Sequence, residues 1–164
     1  MIVVTDASPL HYLVCMGHEE LLKTLFGDII CPQTVLNECL HPHAPKSLRE
    51  WAAELPAWMH VISDSQLHLP QLSHLDPGER AAIQTAVELK ASIVLMDEKK
   101  GRLAAESCGL VAVGVLGILV EAARMGLLDF ELALGELMST TNFRASTALL
   151  ERARATLAKP SILP

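Results

Sequence analysis

Four carboxylates stand out by their surroundings. Asp6 follows the apolar run Ile2-Val3-Val4-Thr5, and Asp97 follows Ile93-Val94-Leu95-Met96. A short apolar run bounded by turn signals reads as a buried strand of a parallel sheet. Both acids then sit at carboxyl ends of strands, where open α/β sheets bind ligands. Neighbouring strands lie only about 4.8 Å apart. Glu38 and Glu79 come from segments that read as helices able to lean over the same edge. Four oxygen donors with no His or Cys among them suit a hard cation such as Mg²⁺ or Mn²⁺. Clustered carboxylates repel one another, and a cation relieves that cost. Such an ion can activate water and hold the oxygens of a phosphodiester.

Each acid taken alone also has a plainer reading. Asp6 can cap the helix that follows it. Glu38 can be a solvated helical acid. Glu79 stands three residues after Asp76, the spacing of a capping box. Asp97 can cap a helix starting at Glu98. Nearby, Lys99, Lys100 and Arg102 either meet phosphates or form a solvated helix face. His11 lies on an apolar segment and reads as a packed residue. His41 and His43 flank Pro42 and read as loop residues, because no further zinc ligands stand close by.

The elements that must position these side chains alternate regularly. After the first strand, Ser8 is expected to cap a helix with Pro9 in its first turn, ending before Gly17. Glu19 to Phe26 reads as a second helix, Asp28 to Cys31 as a strand, and Thr34 to Leu40 as a helix. Ser47, with Glu50 three residues on, is expected to box the next helix, which Pro56 stops. Met59 to Ile62 is a weak strand, and residues 63–74 read as loop. Asp76-Pro77-Gly78-Glu79 opens the clearest helix, which reaches about residue 90. A strand at Ser92 to Met96, a helix at Glu98 to Ser107 and a strand at Leu110 to Val113 follow. Helices at Gly114 to Arg124, Asp129 to Met138 and Ser146 to Leu157 complete the chain. This alternation predicts an α/β domain with three α/β/α layers around a central parallel sheet of about five strands.

Bulk properties narrow the setting. A length of 164 residues is expected to form a single domain, 1–164. The net charge of −6 argues against unspecific coating of nucleic acid, yet an acidic metal site itself adds negative charge. Hydrophobic residues make up 51% but aromatics only 4%, so aliphatic side chains and alanine must fill the core. No apolar run is long enough for a membrane span, and Asp6 interrupts the first one, against a signal peptide. Cys15, Cys31, Cys39 and Cys108 lack C-x-x-C spacing and sit among apolar residues. They read as free thiols of a cytoplasmic protein.

Four pieces in order carry a family resemblance. They are Val4-Thr5-Asp6-Ala7-Ser8-Pro9-Leu10, Pro32-Gln33-Thr34-Val35-Leu36-Asn37-Glu38, Leu75-Asp76-Pro77-Gly78-Glu79-Arg80-Ala81-Ala82-Ile83, and Val94-Leu95-Met96-Asp97-Glu98-Lys99-Lys100-Gly101-Arg102 running on to Val113-Gly114-Val115-Leu116-Gly117-Ile118-Leu119. Together they resemble the PIN-domain nucleases, in the toxin-like branch near the VapC group. The resemblance covers residues 1 to about 125; the C-terminal helices of 126–164 match less distinctly. It implies a PIN-like fold and a metal-dependent ribonuclease that cleaves single-stranded RNA. Asp6, Glu38, Glu79 and Asp97 fall on the family's acidic set, which binds Mg²⁺ or Mn²⁺. Glu79 stands where many relatives have aspartate. Glu98 stands where relatives often have a second aspartate, and it either joins the metal set or caps the next helix. Ser8 falls on a hydroxyl position near the site. Implied partners are the RNA substrate, a cognate antitoxin of a type II toxin–antitoxin pair, and a second copy in a homodimer. The leucines at 127, 128, 132, 134 and 137 either supply that dimer surface or pack in the core.

Two other classes make different demands. A phosphoacceptor signalling domain wants an acid pair after the first strand and a lysine after the fifth. Here Asp6 is single and Val113 is followed by Gly114. A PIN-like protein-binding module would not need all four acids.

Overall fold

Strand β1 (Val3–Thr5) is the centre of a five-stranded sheet in the computed structural model, which describes residues 1–160. The last positions of the C-terminal region, 161–164, lie outside the described residues. Val3, Val4 and Thr5 are all fully buried, as a central parallel strand covered on both faces must be. From β1 the chain passes through α1 (Ala7–Met16) and α2 (Glu20–Phe26) to β2 (Ile29–Pro32). Helices α3 (Gln33–Cys39) and α4 (Lys46–Ala53) then lead to β3 (Met59–Ile62). After a single 3₁₀ turn at Pro70–Leu72, α5 (Pro77–Glu88) carries the chain back across β1 to β4 (Ile93–Leu95). Helix α6 (Lys99–Ser107) leads to β5 (Val111–Val113), and α7 (Val115–Arg124), α8 (Phe130–Thr140) and α9 (Thr147–Leu157) follow. Every strand pair is parallel, and the order is β3-β2-β1-β4-β5. Helices flank the sheet as expected of the α/β class, with α5 over β1, β2 and β4, α6 against β5, and α7 against α1, α2, α8 and α9. No described helix is long and apolar enough to cross a membrane.

This winding creates the edge at which the acids stand. The chain first builds outward from β1 to β3, then returns and builds the other way through β4 and β5. The reversal falls between β1 and β4, and a crevice opens at the carboxyl ends of such a pair. Register fixes what stands there. Thr5 pairs with Leu95, the Asp6 N–H donates to the Leu95 carbonyl at 2.9 Å, and Asp97 lies two residues past Leu95. Leu10, Leu13, Ile83, Leu95, Ile118 and Leu119 fill the layers beneath with almost no exposed surface.

Three local expectations change. Helix α1 begins at Ala7 with Asp6 as its extended N-cap, so Ser8 lies inside the first turn and does not cap. Asp6 is still in the sheet ladder through its N–H, and the helix starts directly after it. Ser47 does not cap α4 either. Pro45 ends the loop with its carbonyl accepting the Arg49 N–H at 3.0 Å, so the helix starts one residue before Ser47. Glu50, freed from a capping role, pairs with Lys46 on the surface at 3.5 Å. Within the stretch read as loop, Asp64 accepts the Thr34 N–H at 3.0 Å and the Thr34 hydroxyl at 2.5 Å. That carboxylate anchors the first turn of α3, the helix that carries Glu38. Of the C-terminal leucines, Leu134 and Leu137 are core, whereas Leu127 and Leu132 are exposed.

The contrast between Asp64 and Ser47 is measurable. Asp64→Ala should destabilise the protein by about 1 kcal/mol, the usual cost of a lost helix cap. Ser47→Ala should stay within about 0.5 kcal/mol, as at an ordinary surface position. Urea melts of the two variants check both values.

Candidate active site

The four acids and Glu98 line one open cavity of about 450 Å³ at the switch point, joined by Asp76. Asp6 leaves β1 and is only 5% exposed. The Ser8 hydroxyl donates to Asp6 Oδ2 at 3.3 Å and accepts the Asp97 N–H at 3.4 Å. Ser8 thus ties the loop after β1 to the loop after β4.

The other carboxylates are each held at the start of a helix. Glu38 Oε1 accepts the Gly78 N–H of α5 at 2.9 Å. Glu79 Oε2 accepts the Asp76 N–H at 3.1 Å, completing the expected capping box. Asp97 Oδ1 accepts the Val115 N–H of α7 at 2.9 Å, so it serves α7 and not α6. The N-cap of α6 is Glu98, whose side chain makes no capping bond. Backbone N–H groups and the positive end of each helix favour negative charge there. Close approach is possible because glycine stands at the contact. A Cβ on Gly78 would collide with the Glu38 carboxylate, and one on Gly114 would lie 2.8 Å from Asp97 Oδ1.

Burial and mutual repulsion set the acidities. Burial pushes Asp6 up to about 7, the Ala7 N–H pulls it back, and the charges of Glu38 and Glu79 push it up again. Burial also pushes Asp97 up to about 6, against the pull of the Val115 N–H and Arg102. Glu38 and Glu79 are raised as well, each chiefly by burial. Asp97 Oδ2 is buried without a hydrogen-bond partner. An orphaned carboxylate oxygen among raised acids calls for a proton or a cation. The all-oxygen donor set therefore fits a hard divalent ion in kind. The side chains are not drawn into a finished ligand set: among the described residues no three His, Cys, Asp or Glu are grouped to hold a metal. Repelling carboxylates that each take a separate backbone donor stand apart in this way.

Several side chains on the cavity were not singled out as site residues. Tyr12 stacks on His11 with ring centroids 5.0 Å apart, and Phe143 meets Tyr12 edge-on at 5.3 Å. All three line the cavity beside Arg144, so His11 faces the site and is not simply packed. Burial pushes the His11 ring below its usual pKa, favouring the neutral form. Tyr12 sits one residue beyond His11 in an aromatic-poor chain, which is the one signal the sequence offered. Among the basic residues, Lys99 and Arg102 border an adjoining groove with Asp97. Lys100 does not; it lines a separate depression with Gln71 and His74. The reason is helical geometry, since residues three apart share a face and successive ones do not. His41 and His43 are exposed loop residues, as expected. Cys31 and Cys39 are buried, with thiols pushed up to about 12 by burial.

The raised acids predict a pH effect of definite sign. A carboxyl whose folded value exceeds its unfolded one binds its proton more tightly when folded. Its contribution is fully present below about pH 4 and is lost as pH rises through 6 to 7. In EDTA, melting temperature should therefore fall by roughly 5 °C between pH 5 and pH 8. Asp6→Asn should flatten most of that fall, and a thermal scan across the range checks it.

Comparison with known proteins agrees with this architecture. A family described as a PIN domain matches residues 2–159, well past residue 125 and through the C-terminal helices. A PilT N-terminus domain protein from the hyperthermophilic archaeon Sulfolobus solfataricus P2 has a similar structure, with a TM-score of 0.54 and 17% identity. The match covers 74% of this chain and 93% of that one, and at such identity it speaks for the fold alone. No curated protein matches the chain. With nearly the whole chain matched, the protein belongs to the PIN-domain family.

Proposed function

We propose that the protein is a metal-dependent endoribonuclease that cleaves single-stranded RNA. The observation that carries this reading is the meeting of Asp6, Glu38, Glu79 and the adjacent Asp97 and Glu98, from four places in the chain, on one cavity at the switch point. PIN domains are in general nucleases, and the family match supports that class. The orphaned Oδ2 of Asp97 and the raised Asp6 name the two best candidates to hold the ion, with Glu79, Glu38 and Glu98 beside them. When bound, Mg²⁺ or Mn²⁺ supplies Lewis-acid chemistry: activation of water and neutralisation of charge on phosphoryl oxygens.

The remaining work falls to the chain. Ser8 fixes the Asp6 carboxylate and the Asp97 backbone relative to one another. The carboxylates on this cavity that do not hold the ion are the groups placed to take the proton of an attacking water. Arg144, on the cavity, and Lys99, on the adjoining groove, offer positive charge to phosphates. The toxin role fits the same reading: an antitoxin would cover the acidic cavity with a basic side chain. Exposed Leu127 and Leu132 would serve a homodimer, and the free cysteines suit the cytoplasm.

Cleavage of a labelled single-stranded RNA tests the core of this. Activity should require Mg²⁺ or Mn²⁺ and vanish in EDTA. Asp6→Asn and Asp97→Asn should each lower kcat/KM by about 100-fold or more, the scale for losing a group that stabilises transition-state charge. Full activity of both variants, or in chelator, would remove the mechanism. Absence of cutting on any RNA would favour a binding role for the fold.

A further inference from the structure

The acidic cavity has a neighbour of opposite sign. A groove of about 300 Å³ adjoins it, sharing Asp97, Phe143 and Arg144 as a common wall. Its rim carries Lys99 and Arg102 from α6, Arg144 from the segment before α9, and Arg152 from α9. Asp97 is the one acid among its lining residues. In a chain of net charge −6 this concentration of cations is unexpected. Among the described residues none of the four forms a salt bridge, whereas Lys46, Arg124 and Arg154 all do. Arg144 is held in place by its own backbone contacts: its Nη1 donates to the Phe143 carbonyl at 2.6 Å and to the Met138 carbonyl at 3.5 Å. Phe143 is itself buried against Tyr12. The start of α7 adds to the field. Gly114, Leu116 and Gly117 line the groove, and the N–H groups of 116 and 117 precede the first intrahelical bond, from Ile118 to Gly114.

We propose that this groove binds the phosphodiester backbone of the single-stranded substrate next to the linkage that is cut. The inference rests on the ribonuclease reading for the identity of the strand. A phosphodiester chain is repelled by the acidic cavity, so its flanking phosphates need compensation beside it. The groove provides that compensation with guanidinium groups that form no salt bridge, Arg144 among them held by backbone carbonyls, and with a helix start. Two of its four cations, Arg144 and Arg152, come from the C-terminal region, which thereby becomes part of the substrate site. Arg144, common to both cavities, marks where the strand passes from one to the other.

Fluorescence anisotropy with labelled single-stranded decauridylate, in EDTA and at 50 to 200 mM KCl, separates this from catalysis. Arg144→Gln combined with Arg152→Gln should weaken binding about tenfold and make the logarithmic salt slope shallower by about 1.4, or 0.7 for each lost phosphate contact. Lys23→Gln combined with Lys90→Gln removes the same charge away from the groove, Lys90 lying at the opposite end of β4, and should change affinity less than twofold. Equal loss in the two double variants, or no binding by the unaltered protein at 50 mM KCl, overturns the proposal. A cleavage arm with Mg²⁺ compares the decamer with a uridine dinucleotide. The groove variant should raise KM for the decamer alone. Groove-dependent binding without cleavage of any RNA would keep the groove and sink the nuclease reading. Cleavage indifferent to the groove variant would do the reverse.

Discussion

Negative charge crowded at one sheet edge is the condition to which the rest of this molecule answers. Carboxylates that approach one another in a partly buried cavity raise one another's energy, and among the described residues none of the four forms a salt bridge, although Arg102 and Lys100 ease Asp97 and Glu79. The fold answers with backbone. Asp6 sits at the start of α1, Glu38 on the Gly78 N–H of α5, Glu79 on the Asp76 N–H, and Asp97 on the Val115 N–H of α7. A parallel α/β sheet places helix starts at the carboxyl edge of its strands as a matter of topology. The same connection that brings the acids together therefore brings the dipoles that tolerate them. The compensation is incomplete, as the raised pKa values of all four show.

Much of this frame is legible in the sequence because it is local. The strand ending at Asp6 and the one ending at Asp97 are short apolar runs, and the Asp76–Glu79 box is a spacing of three residues. The alternation of elements carries the parallel sheet. What the sequence does not disclose is whatever depends on pairs far apart in the chain. Asp64 anchors Thr34 across 30 residues, and nothing near Asp64 marks it. Asp97 reads as the cap of the helix next to it, but it bonds to Val115, 18 residues away, because α7 starts at the neighbouring strand end. Ser8 reads as a cap by type, and its actual role is to join two loops. The aromatic wall of His11, Tyr12 and Phe143 likewise needs the fold to bring 143 beside 12.

The two halves of the site differ in how they are built. The acidic half is made by strand ends and helix starts of the sheet itself, so its geometry is fixed by the ladder. The cationic half is made by helix faces and by the segment around Arg144, which Phe143 pins to α1. Strand ends give little room for change without breaking the register, whereas helix faces can be recharged freely. On the proposed ribonuclease reading, selectivity for a nucleic-acid sequence therefore has a natural home on the C-terminal side, where substitutions leave the sheet untouched.

Gly78, Gly101 and Gly114 carry a final consequence. At each, the space of a side chain is already taken: by Glu38 at the first, by Met96 and Glu79 at the second, by Asp97 at the third. None of the three has the left-handed backbone that would by itself demand glycine. Their hydrogen-sized side chains are contact surfaces, moulded around charged groups instead of around a turn. A single methyl at Gly78 or Gly114 would press on an acid while leaving that acid's own codon intact, and at Gly101 it would first displace Met96, so the acidic cavity depends on positions that carry no functional group at all.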